Sequence, residues 1–322
     1  MYRKLKTKHL IAVFIILLVV FALVELKDKF RNDRSLRAQV ITVDTSEIAG
    51  IVISSIQPAQ TVELSLHKTT WVIGHNRKEY VADQPMVHNI LLRLVNLKPE
   101  WLAATGKEQW NEFQVSDSLA TRVVIRKKNT KKTVTLFIGK ITYQAPQGPY
   151  EQGIINSYVR LDGENKVYAV QGFLRMDFPA DVNSYRLKNL LGQNVADWTK
   201  FTFTYPADSS FELVKKQNQW FINNQQADSV RMMFYLQDIV KLSGTHFTDT
   251  IAGNKQALLS LTIEGNNMQP VVLNAYASAK ASDYLIHSSF NTQAWFIEDK
   301  HTLPSRLFKS KSYFLKTGKI KK

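Results

Sequence analysis

The sequence predicts an α+β fold built twice in tandem, with an antiparallel sheet and one covering helix in each copy, behind an N-terminal transmembrane helix. Three observations lead there. Apolar residues alternate with polar ones along short runs bounded by turn residues, the pattern of half-buried strands. One amphipathic stretch behind an acidic cap interrupts those runs in each half. Landmarks of the first half also recur in the second. Glu63-Leu64 ahead of Trp71 returns as Glu212-Leu213 ahead of Trp220, and Ala82-Asp83 returns as Ala227-Asp228. Leu97 is answered by Leu242, Val134 and Leu136 by Val271 and Leu273, Tyr158 by Tyr284, and Arg186-Leu187 by Arg306-Leu307. The lag shrinks along the chain, as shorter loops in the second copy would make it. Each copy is domain-sized rather than solenoid-sized, so the repeat reads as internal duplication.

The elements follow in order. Residues 1–9 are a short basic tail. From Leu10 to Val24 every residue is apolar, thirteen of the fifteen being Leu, Ile, Val or Phe. At roughly 0.3–0.6 kcal/mol for each of these, insertion into a bilayer is favourable by about 4–8 kcal/mol. Fifteen helical residues reach only about 23 Å of the ~30 Å hydrocarbon core, and Lys8 and Lys27 snorkel to make up the difference. The segment 10–26 is therefore expected to be an uncleaved anchor, because the charged residues after it offer no small-x-small cleavage site. A polar connector, 27–40, leads to a first α+β domain at 41–192, a second at 193–315 and a basic tail at 316–322.

In the first copy Asp83 is placed to cap a helix with Pro85 in its first turn and a stripe of Met86, Ile90, Leu94 and Leu97. Val123 and Ile125 then pair through Asn129-Thr130 with Val134, Leu136 and Ile138. A hairpin runs from Tyr158 to Leu161, turns at Asp162-Gly163 and returns through Val167–Val170. In the second copy Phe201, Phe203 and Tyr205 alternate with threonines, and Pro206, Asp208 and Ser209 turn the chain into Phe211 and Leu213. Asp228 caps a helix carrying Met232, Leu236, Ile239 and Val240. Leu259, Leu261 and Ile263 turn through Gly265-Asn266-Asn267 into Val271 and Leu273. Short turns imply antiparallel pairing.

This order of elements resembles the membrane-anchored domain of unknown function 4340 family. The likeness rests on Trp71-Val72-Ile73 before Tyr80-Val81-Ala82-Asp83, on Trp110 to Val115 with Asp117 and Ser118, and on Leu136-Phe137-Ile138-Gly139. It also rests on Ser157 to Leu161 ahead of Val167 to Val170, and on Tyr185-Arg186 before Leu190-Leu191. Many members have Tyr-Gly-Leu where this chain has Phe113-Gln114-Val115. The resemblance implies an extracytoplasmic domain on a single anchor, an accessory of a gliding-motility-type ABC transporter, and it carries over no catalytic residue.

Charge and chemistry narrow the function. The chain has 322 residues, a formal net charge of +15 and no cysteine, which excludes disulfides, thiolate metal sites and thiol nucleophiles. The excess charge sits at residues 1–40 and 306–322, leaving the body near neutral, so it reads as attraction to an anionic membrane surface rather than as a nucleic-acid face. None of the seven histidines has metal-ligand spacing, and there is no phosphate loop, nucleophile elbow or dinucleotide fingerprint. No catalytic, metal or cofactor-binding residue is assigned. The sharpest interaction candidates are Tyr158 and Arg160, which share a strand face able to offer a ring and a guanidinium fork, against the plain reading of a surface ladder. Arg186 and Arg306, taken as repeat-equivalent, read as structural clamps or binding residues. The tryptophans Trp71, Trp220 and Trp295 read as core.

The sequence thus points to a single-pass protein of the bacterial cytoplasmic membrane with its domains in the periplasm, serving an envelope or ABC-transporter complex and partnering the bilayer through residues 10–26, without nucleic acid. The alternative is an extracytoplasmic module binding a glycan or small anion between the two copies. A third reading is a hydrolase using carboxylates such as Asp162 or Asp181.

Overall fold

The computed structural model describes residues 14–19, 36–75, 78–146, 148, 152–192 and 194–315. The chain divides into two compact units, Met1–Tyr185 and Arg186–Lys322.

In the first unit nine strands form one antiparallel sheet. They are β1 (Ile48–Ile56), β2 (Ala59–His67), β3 (Thr70–His75), β4 (Lys78–Val81), β5 (Pro99–Ala104), β6 (Thr121–Lys127), β7 (Thr133–Gln144), β8 (Ile154–Leu161) and β9 (Val167–Gln171). The spatial order is β4-β3-β2-β1-β6-β7-β8-β9-β5. Two meanders therefore run outward from a central β1–β6 pair. Register explains the core. Ile51 stands opposite Leu64 on one side and Ile125 on the other, and Ile53 opposite Val62 and Val123, so each row of partners puts its aliphatic side chains on one face. Burying each of them contributes about 1.5–3 kcal/mol.

Helix α1 (Gln84–Val95) lies on that face, and the Asp83 side chain caps it by accepting from the Met86 N–H at 3.1 Å. The expected stripe is only part of what it buries. Val87 and Leu91 are buried beside Ile90 and Leu94, while Met86 is half-buried and Leu97 is buried just past the helix end. A broad sheet takes two adjacent rows of a helix rather than one. The short helix α2 (Leu174–Asp177) follows β9. Strand β5 has no expected counterpart. It opens with Pro99, whose missing N–H is tolerated on an edge strand.

The second unit repeats the plan with β10 (Trp198–Thr204), β11 (Phe211–Lys216), β12 (Gln219–Ile222), β13 (Gln225–Gln226), β14 (Leu259–Gly265), β15 (Val271–Ala277), β16 (Asp283–Ser288) and β17 (Trp295–Asp299). Their order, β13-β12-β11-β10-β14-β15-β16-β17, matches that of the first sheet, with β5 reduced to a single Phe247–Phe296 bridge. Helix α3 (Ser229–Ile239) is capped by Asp228, which accepts from Val230 and Arg231 N–H groups. Helices α4 (Leu303–Leu307) and α5 (Lys311–Phe314) close the described chain. This core is aromatic where the first is aliphatic. Phe201 and Phe203 pair with Ile263 and Leu261, as Ile51 and Ile53 pair with Ile125 and Val123. Phe203 stacks on Phe211 at 4.5 Å, and Phe314 meets Tyr235 edge-on at 5.0 Å. Tyr235, outside the expected stripe, is fully buried and donates its hydroxyl to the Leu307 carbonyl at 2.7 Å.

The boundary between units falls after Tyr185 instead of after residue 192 because 186–191 packs with the second sheet. Leu190 and Leu191 join its core, Asn291 donates to the Leu187 carbonyl at 2.7 Å, and Asn189 bridges to Ser243. Val40, expected in the connector, is buried, and its N–H donates to the Leu97 carbonyl at 2.8 Å. Among the described residues no helix is long and apolar enough to cross a membrane. The expected anchor lies outside them except for residues 14–19, which are helical and exposed. The basic tails 1–9 and 316–322 and residues 27–35 of the connector also lie outside the described residues.

Candidate functional site

Arg160 is not presented to solvent as a surface fork. Its residue exposure is 2 %, and its guanidinium lies between two aromatic faces, 3.8 Å from the Trp110 ring centroid and 3.9 Å from that of Phe137. Nε donates to the Val115 carbonyl at 3.1 Å, and Nη2 reaches Asp117 at 3.3 Å. Burial pushes its pKa down, opposed by Asp117 and Asp162. The cause is the segment after β5, which folds over the outer sheet face and buries Val115 there beside Ala104 and Val167. Tyr158 packs under the same cover, 4.5 Å from Phe113. Gly139 lets that cover close. A Cβ there would collide with the Phe113 carbonyl oxygen, while the Lys140 N–H donates to that oxygen at 3.0 Å. Gln114 takes a left-handed φ of +55°, which explains a glycine at this position in the resembling family. Tyr158 and Arg160 thus act together as a clamp on a covering loop.

The repeat pairings need correction at two places. Ile138 stands opposite Val159, and Ala275 opposite Ile286, so Tyr158 corresponds to Leu285 instead of Tyr284, and Arg160 to His287. Tyr185 accepts from the Asp83 N–H at 2.7 Å, and Phe314 accepts from the Asp228 N–H at 2.8 Å. Those contacts make Tyr185 equivalent to Phe314, Arg186 to Leu315, and Arg306 to Asp177. Arg186 and Arg306 are therefore not counterparts, because identical dipeptides were matched across loops of unequal length. Arg186 is buried with its guanidinium 4.0 Å from the Phe247 ring, and it donates to the Gln293 carbonyl at 3.3 Å. Arg306 forms a two-pronged bond to Asp238. Asp238 corresponds in turn to Arg93, which pairs with Asp177 at 3.0 Å. The same helix-to-helix ion pair occurs in both units with its charges exchanged.

Trp71 and Trp220 are buried in their cores, whereas Trp295 is half-buried and stacks on His287 at 4.4 Å. Burial lowers the His287 pKa, opposed by a contact with the Thr292 carbonyl. Among the described residues no group of three or more acidic or histidine side chains is placed to hold a metal. Asp181 caps the turn Val182–Ser184 by accepting from Ser184.

The least expected surface is on α3. Val230, Met233 and Phe234 are 55 %, 46 % and 56 % exposed, although the helix also buries Met232, Tyr235 and Ile239 on its inner side. Its apolar surface continues into a groove of about 570 Å³ lined by Trp220, Met232, Met233, Leu236 and Val240, with Lys241 the sole charged residue lining it. In α1 the equivalent positions are Pro85, His88 and Asn89. The stripe is thus peculiar to the second unit, not a demand of the shared fold. The signal was present in the sequence, since α3 is apolar nearly all round, a pattern that in a surface helix points outward as well as inward.

A sequence model for a family described as a domain of unknown function (DUF4340) matches residues 71–260, from Trp71 in β3 to Ser260 in β14. The match covers more than half of the chain and straddles both units. No curated protein and no solved structure matches the chain.

Proposed function

The chain belongs to the domain of unknown function family DUF4340, and from that premise we propose that it is a membrane-anchored, extracytoplasmic interaction protein serving a cell-envelope complex, with an ABC transporter as the candidate assembly. The apolar run Leu10–Val24 supplies the anchor in the bacterial cytoplasmic membrane, and the two sheet units stand in the periplasm. The role is binding, without catalysis or nucleic acid. The observation that carries it is the exposed stripe Val230, Met233 and Phe234 beside an apolar groove. Methionines at the groove adapt to a partner's shape, and a groove along a helix suits an apolar helical segment. The partner is accordingly a hydrophobic segment of another envelope membrane protein.

A photoreactive residue at Met233 in intact cells tests this reading. The expected result is a crosslink to one membrane protein that disappears with Phe234→Asp and does not form from the equivalent position His88. Absence of an adduct, or the same adduct from both positions, overturns it. Protease added outside spheroplasts is expected to degrade the sheet units, and full protection would overturn the periplasmic placement.

A further inference from the structure

A second cavity lies in the first unit, between the β1–β2 turn, the covering loop before β6 and helix α2. Its volume is about 420 Å³, and Arg175 is the one charged residue lining it. The remaining wall is mixed. Gln57, Gln114, Ser118 and Thr121 bring amides and hydroxyls, and Leu119 and Pro179 bring accessible apolar surface. The Arg175 guanidinium donates Nη2 to the Leu119 carbonyl at 2.7 Å and Nε to the Ile138 carbonyl at 3.4 Å. It has no carboxylate partner among the described residues. Four other arginines of this unit are matched with acids, Arg37 with Glu164, Arg93 with Asp177, Arg126 with Glu63 and Arg160 with Asp117, while Arg122 has no acid partner among the described residues but is exposed.

Arg175 is half-buried, and partial loss of hydration without a counter-charge carries a cost that an anion would offset. Burial lowers the Arg175 pKa, with no neighbouring charge acting in the opposite direction. The two carbonyls hold one edge of the guanidinium in place, leaving Nη1 without a partner among the described residues. The fold does not require the residue. Leu174 corresponds to Leu303, both buried at the start of a short helix, and the position of Arg175 is taken by Pro304 in the second unit. The side-chain amides of Gln57 and Gln114 also lack partners among the described residues, and both are free to donate into the cavity.

We propose that this cavity binds the oxyanion of a small organic acid or phosphate ester, held by the Arg175 guanidinium with the ligand's apolar body against Leu119 and Pro179. A planar fork of N–H donors fits either oxyanion. The proposal stands apart from the envelope role above, since it concerns a different unit and a different class of ligand.

Titration calorimetry on the full chain in an uncharged detergent tests it, with inorganic phosphate and benzoate as probes and sodium chloride at matched ionic strength as control. The expected result is saturable binding of at least one probe in the millimolar range or tighter. Phosphate alone indicates a phosphate-bearing ligand, and benzoate a carboxylate. Arg175→Met is expected to weaken binding at least ~10-fold, and Arg175→Lys to weaken it less, because a point charge replaces the fork. Near-ultraviolet circular dichroism checks that each variant is folded. Leu119→Trp narrows the cavity while leaving the guanidinium in place, and it is expected to lose binding as well. No binding above the chloride control overturns the proposal, as does wild-type affinity in folded Arg175→Met or in Leu119→Trp.

Discussion

Truncating Arg160 to alanine removes the clamp that holds the covering loop to the outer face of the first sheet. The charge-assisted bond to the Val115 carbonyl is worth about 1.5–3 kcal/mol. Each aromatic face adds about 0.5–2 kcal/mol, since Trp110 and Phe137 lie within 4 Å of the guanidinium carbon. The contact with Asp117 adds about 0–1 kcal/mol, because that carboxylate side chain is 80 % exposed. Against these stands the hydration the guanidinium gave up on burial, which the variant no longer forfeits. The balance is a loss of about 3 kcal/mol, which lowers Tm by roughly 6–12 °C for a unit of this size. Thermal unfolding followed by tryptophan fluorescence reads the loss, and Trp110 reports on the loop itself. Hydrogen exchange supplies the local readout. The amides of Val115 and Lys140, bonded to the Trp110 and Phe113 carbonyls, are expected to lose protection before the rest of the sheet. Arg160→Lys keeps the charge without the planar faces and recovers less than half of the loss. A cost below about 1 kcal/mol, or unchanged exchange at those two amides, would refute the clamp.

Three further outcomes follow from the same contacts. Gln114→Gly relieves a left-handed backbone at φ +55°, a gain of about 1–2 kcal/mol reduced by glycine's entropy to about 0.5–1 kcal/mol, measurable by urea unfolding. Asp238→Arg and Arg306→Asp each cost about 0.5–1 kcal/mol singly, and the double variant regains most of it by adopting the Arg93–Asp177 arrangement of the first unit. The hydrogen bond from Arg306 holds the Asp238 pKa below its ordinary value. The pair therefore stabilises above the unfolded carboxylate pKa of about 4 and loses its effect as pH falls through the lower folded value. His287 behaves in the opposite chemical sense with the same direction. Burial disfavours its protonation in the folded unit, so stability declines as pH drops below about 6.5, and His287→Phe flattens that decline in a Tm-against-pH series.

Features set by near neighbours are legible in the sequence. Asp83 and Asp228 cap their helices because an acidic side chain needs only the next two or three N–H groups. Alternation along Phe201–Phe203 and Val123–Ile125 placed the inward face correctly, because a strand's period is fixed by its backbone. Register across distant strands was less legible. Matching Tyr158 to Tyr284 slipped by one residue, and a slip of one reverses the face a residue occupies. Arg186 and Arg306 share a dipeptide context, but the loops before them differ in length, so likeness of sequence does not make them equivalent. The exposed stripe of α3 was written in the sequence, but a stripe count aimed only at the core passes over residues on the other side.

By itself the sequence determined the α+β class, the duplication, the helix caps and an apolar segment of near-bilayer length, since each depends on residues close together or on composition. The tertiary structure decided which charges are compensated. Arg160 and Arg175 both follow β7 and are separated by only fifteen positions in the chain. One is buried between aromatic rings with an acid in reach, and the other lines a cavity with none. The difference arises from where a loop some forty to sixty residues earlier comes to rest on the sheet, and burial and charge pairing depend on that packing, not on sequence neighbours.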